Sequence, residues 1–369
     1  MLRWSLKNLL AEPLRLLAGA MAVAISFILV IFFDAVFEGE SEQMVAYLEE
    51  MEADVWVMQK GVSNMHMASS LLWDWKVDRV AEMDGVAQTS SILYLNAAIK
   101  ASGRDWFSYI IGLDPDTQWG GPWDVVEGEA IPGPGEAVIP VVMARLAGLE
   151  LGDWVTLIDR ELRIVGLTRG TFSMSSAVVF VSHEDLGDLI EAKDQVSYIM
   201  VKTVPGMVPE TVAARIRQAV DKVNALASAE FIARDRKMAL QMGAEIIFMM
   251  TIIGTLLALV IVAFSAYTQT ARKQRELAIA KALGFHTAQL FGAALLQTLV
   301  LTLLGLLLAS VIAYALLPLL PELLPQITLA VKPHTLLTMV VVALPVALLA
   351  SLGPVAKVAR VDPLLVFKR

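Results

Sequence analysis

The stretch Ala271-Arg-Lys-Gln-Arg-Glu-Leu-Ala-Ile-Ala-Lys-Ala-Leu-Gly284-Phe285-His286 stands between two long apolar runs, residues 244–268 and 289–317. It carries Arg272, Lys273, Arg275 and Lys281 against the single acid Glu276. Short loops rich in Arg and Lys are retained on the cytoplasmic side of a membrane, so this segment, taken as 269–288, orients the whole chain. Leu277, Ile279, Ala280 and Leu283 suit a short amphipathic helix at the membrane face. Gly284 is placed to stop it, because glycine accepts the left-handed conformation just past a helix end.

Working outward, the composition is that of an integral membrane protein: 57% of residues are hydrophobic and 18% charged, with mean hydropathy +0.64. The net charge of −8 hides a separation. Residues 38–243 carry −14, while 1–18, 269–288 and 357–369 carry +2, +3 and +3. Basic segments kept inside and one acidic domain translocated predict that both termini are cytoplasmic. An acidic soluble part excludes nucleic acid as a partner. With no cysteine, disulfides, thiolate metal sites and cysteine nucleophiles are excluded.

The expected fold is an α-helical integral membrane protein with four transmembrane helices and one α+β extracytoplasmic domain between helices one and two. An interfacial helix over 1–15, with Leu2, Leu6, Leu9 and Leu10 on one stripe, leads into a first span over 16–37, long enough to cross a hydrocarbon core of roughly 30 Å. The outer domain, 38–243, shows strand-like runs at 53–58, 92–100, 109–113, 137–140, 154–159, 162–167, 177–181 and 198–203. Helical patterns fall at 144–149, after Ser182, and over 209–227; the Gly- and Pro-rich run 128–135 is a loop. The basic stretch 228–243 begins the second long helix as a stalk outside the bilayer. Spans follow at 244–268, 289–317 and 335–353, with a short external loop over 318–334 and a cytoplasmic tail over 354–369.

The layout and four motifs give the chain a resemblance. Arg272-Lys-Gln-Arg275-Glu276-Leu-Ala-Ile279-Ala-Lys281-Ala282-Leu283-Gly284 resembles the cytoplasmic signature of ABC transporter permeases of the MacB/FtsX/LolC type. Arg360-Val-Asp362-Pro363 resembles their terminal pattern, and Glu136-Ala-Val-Ile-Pro with 144–156 resembles their core domain. Asp54-Val-Trp-Val-Met-Gln-Lys-Gly61 is similar to the DevC- and HrtB-like branch. The resemblance implies two permease copies, each seated on a cytoplasmic ABC ATPase that holds ATP and Mg. It implies a coupling helix made by Arg272, Arg275, Glu276, Leu277, Ile279, Lys281, Leu283 and Gly284, and motion carried outward by the ends of helices one and two. A periplasmic adaptor is a further partner of such systems.

The chain has no Gly-x-x-x-x-Gly-Lys-Ser/Thr cradle, no His-Glu-x-x-His and no Gly-x-Ser-x-Gly, so catalysis by this chain alone is not expected. Met238, Met242, Glu245 and Met249 stand on one helical face where the second long helix enters the outer leaflet, with Asp34, Glu38 or Met44 of the first helix to face them. Thioethers and carboxylates at that depth suit an amphipathic planar substrate such as haem, against the plainer reading of a methionine-packed dimer seam. Met65-His66-Met67 is a second soft-ligand cluster, read as an exposed polar loop with metal binding as the sharper alternative. The expected function is ATP-driven extrusion of a hydrophobic or amphipathic compound. The alternative is a mechanotransmitter of the FtsX kind that moves no substrate and activates an outside partner through 38–243.

Overall fold

A computed structural model describes residues 12–66, 68–117, 119–174, 176–316 and 319–359. The tail motif at 360–363, Met67 and nearly all of the expected interfacial helix over 1–15 lie outside the described residues.

In chain order the helices are α1 (Pro13–Glu50), α2 (Trp75–Ala81), α3 (Val141–Ala147), α4 (His183–Leu189), α5 (Pro209–Ala219), α6 (Ser228–Arg272), α7 (Gln274–Ala282), α8 (Thr287–Leu316), α9 (Leu320–Leu323) and α10 (Pro333–Ala359). The strands are β1 (Val55–Gln59), β2 (Leu72–Trp73), β3 (Val86–Ala101), β4 (Arg104–Leu113), β5 (Val125–Gly128), β6 (Glu136–Pro140), β7 (Trp154–Leu157), β8 (Arg160–Thr168), β9 (Ala177–Ser182), β10 (Gln195–Val196), β11 (Tyr198–Thr203) and β12 (Val223–Ala227). The chain divides into two compact units. One takes its described residues from Met1–Glu38, Ala244–Leu323 and Leu329–Arg369; the other is Gly39–Gly243 with Leu324–Thr328.

The first unit is helical. Three of its described helices are long and apolar enough to cross a membrane: Pro13–Glu50, Ile252–Arg272 and Thr287–Leu316; a shorter apolar stretch, Met339–Ser351, lies within α10. Its core joins Ala20, Val23, Ala24, Phe27, Val30 and Ile31 of α1 to Leu301, Leu306 and Ala309 of α8 and Met339, Ala343, Val346 and Ala350 of α10. Between apolar helices in lipid the hydrophobic effect offers little, so close packing of small residues must hold them. Gly305 shows this: a Cβ there would lie 2.4 Å from Val23 Cγ1, so α1 and α8 approach only because the side chain is missing. Further along α1, Ala330 N donates to Ala35 O at 3.0 Å and Lys332 pairs with Glu38 at 2.9 Å.

The second unit is built on a ten-stranded sheet in the order β12-β1-β11-β3-β4-β9-β6-β8-β5, with β7 paired to β3 and β8. Pairing is parallel for β4 with β9 and β6 with β8, and antiparallel elsewhere. The central strands are continuous apolar runs because both faces are covered. Successive residues take opposite faces. Val55 and Val57 of β1 and Ile199 and Val201 of β11 join a core with Val212, Ala213 and Ile216 of α5. Trp56, Met58, Tyr198 and Met200, their neighbours in the chain, turn to the other face and meet Tyr47, Leu48 and Phe231. A third core fills the far half of the sheet around Leu93, Ile110, Ile139, Val179 and Leu186.

Two expectations need correction. The helix expected over 209–227 ends at Ala219, and 223–227 is a strand paired with β1, Val55 opposite Ala227 and Gln59 opposite Val223. Ala- and Leu-rich composition favours helix locally, but Lys222 turns the chain with φ 58° and the vacant edge of β1 captures the next five residues; tertiary pairing overrides propensity. Helix α1 likewise does not change character at residue 37. It runs on through the acidic run at 38–42 to Glu50, 38 residues or about 57 Å, against a hydrocarbon core of roughly 30 Å. The structure also adds α2, β2, β5 and β10, too short to stand out in the sequence.

Phe231 is fully buried, with its ring 5.6 Å from Trp56 and 6.0 Å from Tyr198. Truncation leaves a cavity that rigid neighbours cannot fill. Phe231→Ala is expected to cost the outer domain about 3–5 kcal/mol, read as a lowered urea midpoint of tryptophan fluorescence in the full chain.

Candidate functional site

The basic segment is a helix between two helices. At Lys273 the backbone leaves helical geometry (φ −92°, ψ 15°), which separates α6 from α7. The end of α7 is the stop expected at Gly284. Its φ is 91°, Gly284 N donates to Lys281 O at 3.1 Å, and Phe285 N donates to Ala280 O at 3.2 Å, the two bonds of a Schellman motif. Immediately after it, His286 N donates to Gln289 Oε1 at 3.1 Å, half of a capping box that opens α8. Glu276 in the first turn and Lys281 in the last complement the helix dipole.

The apolar residues of α7 divide into two sets. Leu277 and Ala280 are buried against Leu290, Ala294 and Phe291 of α8. Ile279 and Leu283 are exposed, at 42% and 75%, with Phe285 beside them at 38%. One set seats the helix; the other is presented.

Charge gathers on the neighbouring surface. A cavity of about 270 Å³ is lined by Glu12, Arg15, Arg272, Lys273 and Glu276 with Leu16, Gly19, Ser265 and Thr268. Glu12 pairs with Arg15 at 2.6 Å. That hydrogen bond, then the positive charges of Arg15, Lys273 and Arg272, hold its carboxyl below the usual glutamate range. Sequence reading did not bring Glu12 and Arg15 to this segment; their charges beside Pro13 were the available signal. The side chain of Arg275 lies outside the described residues.

The expected outer-leaflet residues fall in several environments. Glu38 is in the ion pair with Lys332. Met249 is 56% exposed, Met238 is half-buried, and the side chains of Met242 and Glu245 lie outside the described residues. Met44 lines a cavity of the outer domain together with Met65 and His66. The reading of Met65 and His66 as an exposed loop is corrected: both are buried, because Asp235, 169 residues on, draws the loop inward.

Span-length apolar helices, a separate α+β domain and a capped basic helix define a membrane protein with a large domain outside the bilayer. Residues 19–219 match the MacB-like periplasmic core domain, and residues 248–363 match the FtsX-like permease C-terminal domain. The chain therefore belongs to the MacB/FtsX family of permeases. An uncharacterized ABC transporter permease of Mycobacterium tuberculosis strain H37Rv is 26% identical over 318 residues, covering 86% of this chain and 84% of the relative. Another, from Mycobacterium bovis, is 22% identical over 371 residues, covering 100% and 99%. Among solved structures, the periplasmic region of MacB from Actinobacillus actinomycetemcomitans aligns with TM-score 0.37 and 9% identity, over 50% of this chain and 94% of that one. The extracellular domain of the noncanonic ABC-type transporter YknZ from Gram-positive bacteria aligns with TM-score 0.37 and 12% identity, over 47% and 98%.

Gly284 gives a local test of the basic segment. An alanine at φ 91° pays the left-handed strain, so Gly284→Ala is expected to cost about 1 kcal/mol and to raise hydrogen exchange at 280–286 while leaving the outer domain's exchange unchanged.

Proposed function

We propose that this chain is the membrane subunit of an ABC exporter in which α7 docks onto a cytoplasmic ATPase. The observation that carries the reading is the face formed by Ile279, Leu283 and Phe285, exposed on a capped helix whose other face is seated by Leu277 and Ala280. Burying such apolar positions in a groove of the ATPase, with Arg272, Lys273, Arg275, Glu276 and Lys281 giving charge complementarity at the rim, is the pattern of a specific interface. ATP and Mg belong to the partner, which performs the hydrolysis.

The topology that goes with this reading has four spans, the fourth within α10, with both termini and α7 cytoplasmic and the acidic domain outside. Two copies pair, and α1 and α6 carry ATP-driven motion to the outer domains. The continuity of both helices supports this mechanotransmission: α6 runs 45 residues without a break, about 67 Å. The stretch of α6 with Met249, Ile253, Leu256, Val260 and Phe264 exposed is apolar enough to face lipid or the second copy. The substrate is a hydrophobic or amphipathic compound taken from the outer leaflet or the outer side, with haem the first to test at Met238, Met242, Glu245 and Met249. A periplasmic adaptor is a possible further component of the same assembly, and affinity to the DevC- and HrtB-like branch belongs to this reading.

The mechanotransmitter reading has its own observation. Trp73 and Trp75 are both more than half exposed on the outer domain, and exposed tryptophans are favoured anchors for a protein partner.

Docking is tested by Ile279→Asp combined with Leu283→Asp. The expected result is normal membrane insertion with loss of ATPase co-purification; retained co-purification sinks the assignment. Export and mechanotransmission separate on ATPase activity in nanodiscs titrated with haem and with lipids. Saturable stimulation lost in Met242→Ala/Glu245→Ala supports export. Indifference to every amphiphile, with control by an outer protein lost in Trp73→Ala/Trp75→Ala, supports mechanotransmission.

A further inference from the structure

The loop between β1 and β2 is held more firmly than a connecting loop requires. Asp235 of α6, fully buried, accepts from Met65 N at 2.8 Å and His66 N at 3.3 Å through Oδ1. Through Oδ2 it engages His66 Nδ1. Asn224 Nδ2 donates to Val62 O at 2.7 Å, and Asn96 Nδ2 donates to His66 O at 3.1 Å. The Tyr109 ring stands edge-on to the imidazole, 4.8 Å between centroids. Everything fixes the ring's position, yet Nε2 is buried with no hydrogen-bond partner among the described residues.

A buried nitrogen without a partner is costly and asks for one. Nε2 belongs to a residue lining a cavity whose other walls include Met44 of α1 and Met65. Its volume of about 20 Å³ admits one water or one ion and nothing larger. The imidazole is set up as metal-binding histidines are: one ring nitrogen engages a carboxylate that fixes tautomer and orientation, leaving the other for a metal. The amide and hydroxyl groups of the lining already have partners, Gln43 with Gly170 O, Tyr47 with Gly120 O, Tyr94 with Asn96 Oδ1, Thr171 with Thr168, and Ser173 and Tyr109 with Ser176, so the donors left are the Met44 and Met65 thioethers, which are soft. No group of three His, Cys, Asp or Glu gathers among the described residues, as a hard divalent ion would require.

We propose that His66 Nε2 with the Met44 and Met65 sulfurs binds one soft monovalent cation, Cu(I), in the outer domain. An imidazole and two thioethers form a neutral, sulfur-rich set that selects Cu(I) over Zn(II), Mg(II) and Ca(II). A single positive charge also compensates Asp235 through the ring. The site draws on α1, the β1–β2 loop and, through Asp235, α6, so the ion would pin together the starting and finishing helices of the domain. It does not rest on the docking of α7.

The test is an anaerobic competition titration of Cu(I) between bicinchoninate and the full chain in nanodiscs. The wild type is expected to retain one Cu(I) per chain that Zn(II) does not displace. Met44→Leu and Met65→Leu, which keep side-chain volume, are each expected to weaken binding about tenfold or more. His66→Asn, which keeps a donor toward Asp235 but removes Nε2, is expected to abolish it, and Met83→Leu, in a different core, to change nothing. No stoichiometric Cu(I), meaning a cavity that holds water only, overturns the proposal; so does equal affinity in Met44→Leu and Met65→Leu. Should a variant lower the unfolding midpoint, X-ray absorption of the copper-loaded wild type decides: a shell of sulfur with one nitrogen supports the site, and a shell of nitrogen and oxygen alone overturns it.

Discussion

Asp235 is fully buried near the start of α6, and its three donors come from two adjacent residues of one loop. Taking a carboxylate out of water costs several kcal/mol unless its lone pairs are met inside, so the loop is not free to sit elsewhere. Because Met65 and His66 must be inside, the backbone around them must be satisfied too; Asn96 and Asn224 reach it from β3 and β12. One buried charge thereby ties α6, the β1–β2 loop and two strands that are remote in sequence. Hydrophobic burial alone is non-directional and would leave this loop many acceptable positions.

Around that anchor the sheet supplies the bulk of the stability. Strands β1 and β11 are apolar at nearly every position, which makes them useless as alternating surface strands and well suited to separating two cores. The small Val and Ile side chains pack beneath α5, while Trp56, Tyr198 and Met200 form the larger face toward Tyr47 and Phe231. Trp56 Nε1 finds Ser228 Oγ at 3.3 Å, so the indole's one polar atom is met at the first residue of α6. The same face that buries the most aromatic area therefore also receives the ends of the two long helices, within the outer domain itself.

What was legible in the sequence is what short-range chemistry decides. Gly284 ends α7 because a left-handed residue is needed just past the cap at Leu283, and glycine is the residue that takes it without strain. Ser182 caps α4 by accepting from Asp185 N at 3.0 Å, and the eight strand-like runs became strands because they are short runs rich in β-branched and aromatic residues. The misses share a cause of the opposite kind. Residues 223–227 are a strand only because β1 has an open edge, and His66 is buried only because Asp235 is on the other side of the fold. Neither fact has any local signature. The basic segment was readable as a helix and as a basic loop, but the partition of its leucines was not: Leu277 and Leu283 are alike in the sequence and opposite in space.

That partition bears on what a short helix at a membrane face can do. Nine residues are too few to be stable alone, since helix nucleation is unfavourable and isolated helices need about 12–15 residues. Here the deficit is met from three sides: Leu277 and Ala280 pack on α8, the Schellman bonds close the end, and the dipole is balanced by Glu276 and Lys281. With folding secured by those contacts, Ile279 and Leu283 are not needed for it. Apolar side chains kept exposed on a rigid support cost solubility and gain nothing for the isolated chain, whereas in the proposed docking they would be buried with little further loss of conformational entropy. A basic loop serving only to orient the chain would carry the lysines and arginines but would have no use for that support.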